Sequence, residues 1–212
     1  MGTSAAIVVA AGGGRRYGAA KQFEPLGGTR VVDRAVAAAG AACDAVVLVL
    51  PAGTDWDGAP VHAVRPGGAT RAASVRAGLA ALPDGTDVVV VHDAARPLAS
   101  PALFDAVVTA VRAGADAAVP AVPLADTVKR VADGHVTATV SRDDLVAVQT
   151  PQAFRVDALR AAHAGDGDAT DDAALVEAAG GTVAVVDGEA ANLKVTTRAD
   201  LHVAAALLAE QP

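Results

Sequence analysis

Short apolar runs alternate along this chain with longer alanine-rich stretches, and that alternation narrows the fold more than any other feature. Ala6 to Val9, Ala45 to Leu50 and Asp87 to Val91 read as buried strands, while Val31 to Ala41, Arg71 to Leu82, Pro101 to Ala113 and Ala199 to Leu208 read as helices. Strands without a polar face need cover on both sides, and helices between them supply the crossovers of a parallel sheet. The expected fold is α/β, an open, doubly wound, mostly parallel sheet with its ligands beyond the carboxyl ends of the strands. The 212 residues fit a single domain, 1–212, and no fused second enzyme domain is expected. Hydrophobic residues make up 52% but aromatic ones only 2%, so the core must come from Ala, Val and Leu in close helix–sheet contact.

One stretch departs from the alternation. Asp126 to Gln149 has little helix signal, and Thr127 to Ala132 and His135 to Val140 flank an Asp133-Gly134 pair. Asp-Gly between β-prone arms predicts a hairpin. A lone hairpin is barely stable in water, so this protruding arm must lean on its own body or on another subunit.

The net charge of -7 excludes a general nucleic-acid-binding face. An anion site here must gather its few cations in one place. The single cysteine, Cys43, excludes an internal disulfide and a multi-cysteine metal site, and reads as a core residue. Met1-Gly2-Thr3-Ser4 runs straight into a strand, so neither a signal peptide nor myristoylation is expected. No apolar run is long enough to span a bilayer without charges or breakers, so no membrane association is expected and the location is expected to be cytoplasmic.

Four sequence features carry chemistry. Ala10-Ala11-Gly12-Gly13-Gly14-Arg15-Arg16, then Lys21-Gln22, follows the first strand. Such glycines let backbone N–H groups wrap a phosphate chain. Tyr17 stands where a dinucleotide fingerprint needs glycine, and Gly18-Ala19 does not complete a P-loop. A purely structural turn has no need of Arg15, Arg16 and Lys21 in an acidic protein, which favours phosphate binding. The second feature, His92-Asp93-Ala94-Ala95-Arg96-Pro97, ends a strand; Asp93 suits a sugar hydroxyl or a phosphate-bound Mg2+, and equally a turn before Pro97. The third, Gly67-Gly68-Ala69-Thr70-Arg71 through Ser74, is a glycine loop opening a helix, which suits a base edge or an ordinary helix start. The fourth is scattered: Thr127, Arg142, Thr150-Pro151-Gln152, Thr170-Asp171 and Asn192 to Thr196, with Thr170 and Thr197 suited to helix N-caps. The five histidines show no metal-ligand spacing and mostly read as surface residues, and Trp56 carries no functional signal.

In this order the pieces resemble the 2-C-methyl-D-erythritol 4-phosphate cytidylyltransferases over essentially the whole chain. The resemblance implies a Rossmann-like nucleotidyltransferase that moves CMP from CTP to a sugar-alcohol phosphate in isoprenoid precursor synthesis. It implies that Arg16 and Lys21 stabilise the pentavalent phosphorus and that Ala10, Ala11, Gly12 and Gly14 cradle the nucleotide. Gly68 and Ser74 are implied as cytosine and ribose contacts, and Asp93 and Arg96 as the methylerythritol site. Arg142 and Lys194 are implied to hold the acceptor phosphate, helped by Thr127, Thr150 and Thr170. It also implies Mg2+ bound mainly through the CTP phosphates, with protein ligands unknown, and a homodimer whose arms, within 126–149, complete each other's sites. Ala20 replaces the family's usual proline in a shortened loop, and Ala69-Thr70 replaces residues often acidic in relatives. The alternatives are CMP transfer to ribitol 5-phosphate, against which the paired Ala94-Ala95 lean, and a non-catalytic CTP sensor, against which Arg16 and Lys21 argue.

Overall fold

The computed structural model describes residues 2–13, 17–165 and 171–210. The chain opens with β1 (Thr3–Val9), passes a single 3-10 turn at Lys21–Phe23, and forms the small hairpin β2 (Pro25–Leu26) and β3 (Thr29–Arg30). Then come α1 (Val31–Ala42), β4 (Ala45–Leu50), β5 (Ala63–Pro66), α2 (Arg71–Leu79), β6 (Thr86–Asp93), α3 (Pro101–Arg112) and β7 (Ala117–Pro123). The arm follows as β8 (Val128–Ala132) and β9 (His135–Val140). The chain finishes with β10 (Val146–Val148), β11 (Gln152–Arg155), α4 (Val156–Ala162), α5 (Asp172–Ala178), β12 (Val183–Asp187) and α6 (Arg198–Ala209).

Eight strands form the main sheet in the order β10-β7-β11-β6-β1-β4-β5, with β12 also on β7. Within it β10 and β11 run against the others, so the sheet is mixed but mostly parallel, as expected. The chain leaves β1 toward β4 and β5, then returns to β6 on the other side of β1. That reversal opens a crevice beyond the carboxyl ends of β1 and β6, where an open α/β sheet places its ligands.

Side-chain alternation assigns the two faces. Ala6, Val8, Leu48, Leu50, Val88 and Val90 join α1 and α3 in one core. Ile7, Val47, Val49, Val89 and Val91 join Val75 of α2, Leu159 of α4 and Val176 of α5 in the other. Small residues permit the close contact this aromatic-poor core requires: a Cβ on Gly78 of α2 would lie 2.5 Å from Ile7 Cγ2. Cys43 is a buried residue at the end of α1, as its position suggested. A smaller cluster, including Tyr17, Leu98, Val195 and Ala204, ties α6 and the segment before it to the body.

Helix ends follow local chemistry. Thr197 caps α6, its Oγ1 accepting from Asp200 N at 3.3 Å while Asp200 reaches back to the Thr197 amide. At α5 the cap is Asp171, accepting from Ala174 N at 3.0 Å, and Thr170, expected as a cap, lies outside the described residues. α2 stops at Leu79, short of the expected Leu82, where Pro83 would in any case disfavour helical backbone. His62, His135 and His202 are exposed, whereas His92 and His163 are buried.

The arm is the expected hairpin. β8 and β9 pair antiparallel from Val128↔Val140 to Ala132↔His135, and Asp133 (φ 48°) and Gly134 (φ 76°) form the left-handed two-residue turn that Asp-Gly favours. Val131 and Val136 are 59% and 63% exposed on it.

Candidate active site

Three loops converge beyond the ends of β1, β4 and β6. Ala10 is pinned by its amide to the Val49 carbonyl (2.8 Å), which starts the glycine loop in register with the sheet. The Gly67-Gly68 loop presses on it, and a Cβ on Gly67 would fall 2.2 Å from Ala11 Cβ. Ser74 fixes the second loop, accepting from Gly68 N (3.2 Å) and donating to the Thr70 carbonyl (3.0 Å). These loops, with Lys21, Asp93 and Lys194, bound a cavity of about 320 Å3. A smaller cleft of about 160 Å3, lined by Arg96, Gln149 and Thr150, shares Arg71, Asp93 and Lys194 with it.

Asp93, at the last position of β6, sits where the two spaces meet. Its Oδ2 accepts from Lys194 Nζ at 2.5 Å and its Oδ1 from Arg71 Nε at 3.2 Å. Burial pushes its carboxyl up, but Arg71 and Lys194 outweigh burial and hold it well below the usual carboxylate range. Its amide donates to Thr150 Oγ1 at 3.0 Å. Thr150 Oγ1 also lies 3.2 Å from His92 Nδ1, and the opposite ring nitrogen faces the Arg96 carbonyl at 3.1 Å. A carbonyl only accepts, so Nε2 carries the proton and Nδ1 accepts from the threonine hydroxyl. Burial pulls the His92 pKa down to about 4, which keeps the ring neutral at pH 7.

The remaining cations are oriented by backbone. Lys21 Nζ donates to the Val195 carbonyl (2.7 Å), and Val195 N is anchored on the Ala95 carbonyl (2.8 Å). Arg96 Nη1 donates to the Asn192 carbonyl (2.7 Å), while Asn192 Nδ2 donates to Gln149 Oε1 (3.1 Å) and to the Thr150 carbonyl (2.9 Å). Segment 192–196 is thereby laced to the loop after β6, which carries Lys194 to Asp93.

Of the residues expected from sequence, Ala10, Ala11, Gly12, Lys21, Gly68, Ser74, Asp93 and Lys194 meet at the larger cavity, and Arg96 and Thr150 at the smaller. Gly14, Arg16 and Thr170 lie outside the described residues. Thr127 and Arg142 flank the arm and line neither space; Arg142 is exposed and donates to the Ala125 carbonyl. Sequence reading gave no role to Arg71, which divides its guanidinium between Asp93 and Asp172, or to Gln149 and Asn192. Arg71 opens the helix after a glycine loop and Asn192 lies just before Lys194, and those positions were their signals.

A glycine-walled, cation-rich cavity at the switch point of a doubly wound sheet suits the phosphates of a nucleotide. Comparison with known proteins narrows the class. Residues 4–210 match the family model described as IspD, 2-C-methyl-D-erythritol 4-phosphate cytidylyltransferase. A Nocardia farcinica protein of that name is 47% identical, the alignment covering 98% of this chain and 94% of the relative. A bifunctional enzyme IspD/IspF from Rhodospirillum rubrum is 44% identical over 95% of this chain and 56% of its own length. The crystal structure of the Thermus thermophilus 2-C-methyl-D-erythritol 4-phosphate cytidylyltransferase superposes with a TM-score of 0.86 at 36% identity, covering 99% of this chain and 100% of that one. The chain belongs to the 2-C-methyl-D-erythritol 4-phosphate cytidylyltransferase family.

Proposed function

We propose that the protein transfers CMP from CTP to 2-C-methyl-D-erythritol 4-phosphate, giving 4-diphosphocytidyl-2-C-methyl-D-erythritol and pyrophosphate. The observation that carries this reading is Asp93, ionised between Lys194 and Arg71, at the junction of the glycine-lined cavity and the Arg96 cleft. CTP occupies the cavity, its phosphates along Ala10 to Gly14 and its base against Gly68 and Ser74. The acceptor occupies the cleft, its hydroxyls at Asp93 and Arg96.

The nucleophile is an oxygen of the acceptor phosphate. With a second pKa of about 6 that group is already largely dianionic at neutral pH, so no protein base is required. Both ring nitrogens of neutral His92 are engaged, Nε2 by the Arg96 carbonyl and Nδ1 by the Thr150 hydroxyl, so neither is offered to it. A bond forms from the acceptor oxygen to the α-phosphorus, the bond to the bridging oxygen breaks, and that oxygen leaves with pyrophosphate. The obstacle is repulsion between an anion and a polyanion, so catalysis consists of positioning and charge neutralisation. Arg16 and Lys21 neutralise charge at the α-phosphorus, Lys194 and Arg142 hold the acceptor phosphate in line, and Thr127, Thr150 and Thr170 assist. Asp93 is the acidic side chain lining the larger cavity, with both oxygens engaged by cations, and among the described residues no cluster of three or more acidic, His or Cys ligands forms a metal cage. That donor set fits a Mg2+ carried on the triphosphate rather than on the protein, where it supplies further charge neutralisation.

The working unit is a homodimer. The arm buries little of Val131 and Val136 on its own chain, and Arg142 at its base lines neither the larger cavity nor the cleft. Docked on a partner, the arm gains burial and delivers Thr127 and Arg142 to the partner's acceptor cleft. Among the described residues no helix is long and apolar enough to cross a membrane. The need for CTP points to the cytoplasm as the place of reaction.

Pyrophosphate release tests the activity. It should require CTP and methylerythritol phosphate together, with ribitol 5-phosphate a far poorer acceptor. Equal or better turnover of ribitol 5-phosphate would reassign the acceptor, and no release with either would leave a nucleotide-binding protein.

A further inference from the structure

Behind Asp93 lies a second buried carboxylate. Arg71 spans the two: its Nε donates to Asp93 Oδ1 at 3.2 Å and its Nη1 to Asp172 Oδ2 at 2.5 Å. The other oxygen of Asp172 is 2.9 Å from His163 Nε2. Asp172 and His163 are only 1% and 5% exposed, and they come from α5 and from the residue that ends α4. The far ring nitrogen of His163, Nδ1, is buried and hydrogen-bonded to no described residue. Among the described residues the one polar contact of this imidazole is therefore with Asp172, although an apolar side chain would fill the same space without burying an unpaired nitrogen.

We propose that His163 is a positioning residue of the transfer reaction, keeping Arg71 divided between Asp172 and Asp93. The argument is a competition for one guanidinium. A carboxylate with both oxygens unclaimed prefers to grip arginine through two parallel N–H bonds. Asp172 is held out of that geometry because His163 occupies its Oδ1, so Nε of Arg71 stays with Asp93. Without the His163 N–H, Asp172 has a buried, unsatisfied oxygen and turns to take both Arg71 donors. Asp93 is then left with Lys194 alone and draws that lysine away from its second task at the acceptor phosphate. Supporting groups behind a site tune the groups in front of it in this way. The inference rests on the acceptor role of Asp93 proposed above.

Three substitutions at one position separate hydrogen bonding from packing. His163→Gln places an amide N–H2 where Nε2 was. His163→Asn is polar but one methylene too short to reach Asp172. His163→Leu fills the space and donates nothing. The expected result is a rise of about tenfold in KM for methylerythritol phosphate in the Leu and Asn variants, consistent with loss of one oriented ionic contact. KM for CTP should change less than about twofold, and the Gln variant should stay near wild type. A second readout does not depend on turnover: the Arg71 Nε–H resonance, assigned by its disappearance in Arg71→Lys, should shift in the Leu and Asn variants and hold its position in the Gln variant. Should Leu fail to fold, the Asn and Gln pair carries the comparison. Wild-type kinetics and an unmoved Arg71 resonance in a folded Leu or Asn variant would overturn the proposal, as would equal impairment of Gln and Asn. A wild-type enzyme that ignores methylerythritol phosphate would instead overturn the acceptor assignment, and the resonance would still report on His163.

Discussion

At the scale of the residue, the site works by holding charges where water would otherwise scatter them. Lys21 is placed by the Val195 carbonyl at the wall of the nucleotide cavity. In the proposed reaction it acts on charge that develops as the α-phosphorus becomes pentavalent, so Lys21→Ala should lower kcat by about 10²–10³ and shift KM for CTP little. Steady-state kinetics on the folded variant check this, and near-normal kcat would remove Lys21 from the chemistry. His92 makes a separate prediction about stability. Its folded pKa is lowered by burial to about 4 against an ordinary 6.5, so the unfolded chain takes up a proton first as pH falls. The contribution is complete above pH 6.5 and declines toward pH 4, by about 3 kcal/mol over the interval. Urea unfolding between pH 7 and 4 should show this decline in the wild type and a shallower one in His92→Gln. Parallel slopes would mean that His92 protonates in the folded protein.

At the scale of the element, the two glycine loops act as one surface because each lacks the side chains that would part them. The contact of Gly67 with Ala11 leaves no room for a methyl group. Gly67→Ala should therefore spread the base-binding loop from the phosphate loop, raising KM for CTP about tenfold or more while the global unfolding transition is kept. In the proposed reading, the loop that Ser74 fixes also sets base choice. Cytosine donates at its 4-position where uracil accepts, so CTP should be preferred to UTP by about tenfold or more in kcat/KM. Comparable values for the two nucleotides would contradict base reading by the Gly68–Ser74 loop.

The elements that position this surface were legible from sequence for a simple reason. β1, β4 and β6 are continuous apolar runs, and α1, α3 and α6 carry their own stop and start signals, such as the Pro101 start and the Thr197 cap. The far side of the sheet was not legible. β7 carries Pro120 and Pro123, which argue against a strand when no structure shows where the missing donors would point. β10, β11 and β12 are short, and their pairing depends on β7. In the same way Asp93 and Lys194 were visible inside motifs, whereas Asp172 and His163 look like ordinary residues of a helix and a helix end until the fold brings them behind Arg71.

At the scale of the molecule, one chain builds the nucleotide cavity and leaves the arm, with Thr127 and Arg142, outside it. In the proposed homodimer a two-fold axis would give each arm to the other site. Mixing inactive Lys21→Ala with inactive Arg142→Ala chains should yield heterodimers with one doubly damaged site and one intact site, recovering activity. Verified heterodimers that stay inactive, or a fully active monomer at assay concentration, would contradict the exchange of arms.

The central claim is that an oxygen of the acceptor phosphate attacks the α-phosphorus of CTP directly, with the protein supplying position and charge. The most direct measurement uses methylerythritol phosphate labelled with 18O in its phosphate and follows the label by mass spectrometry and 31P NMR. The account predicts labelled oxygen in the new diphosphate bridge, none in the released pyrophosphate, and none gained from solvent. Label in the pyrophosphate, or a bridge oxygen derived from CTP or from water, would contradict it.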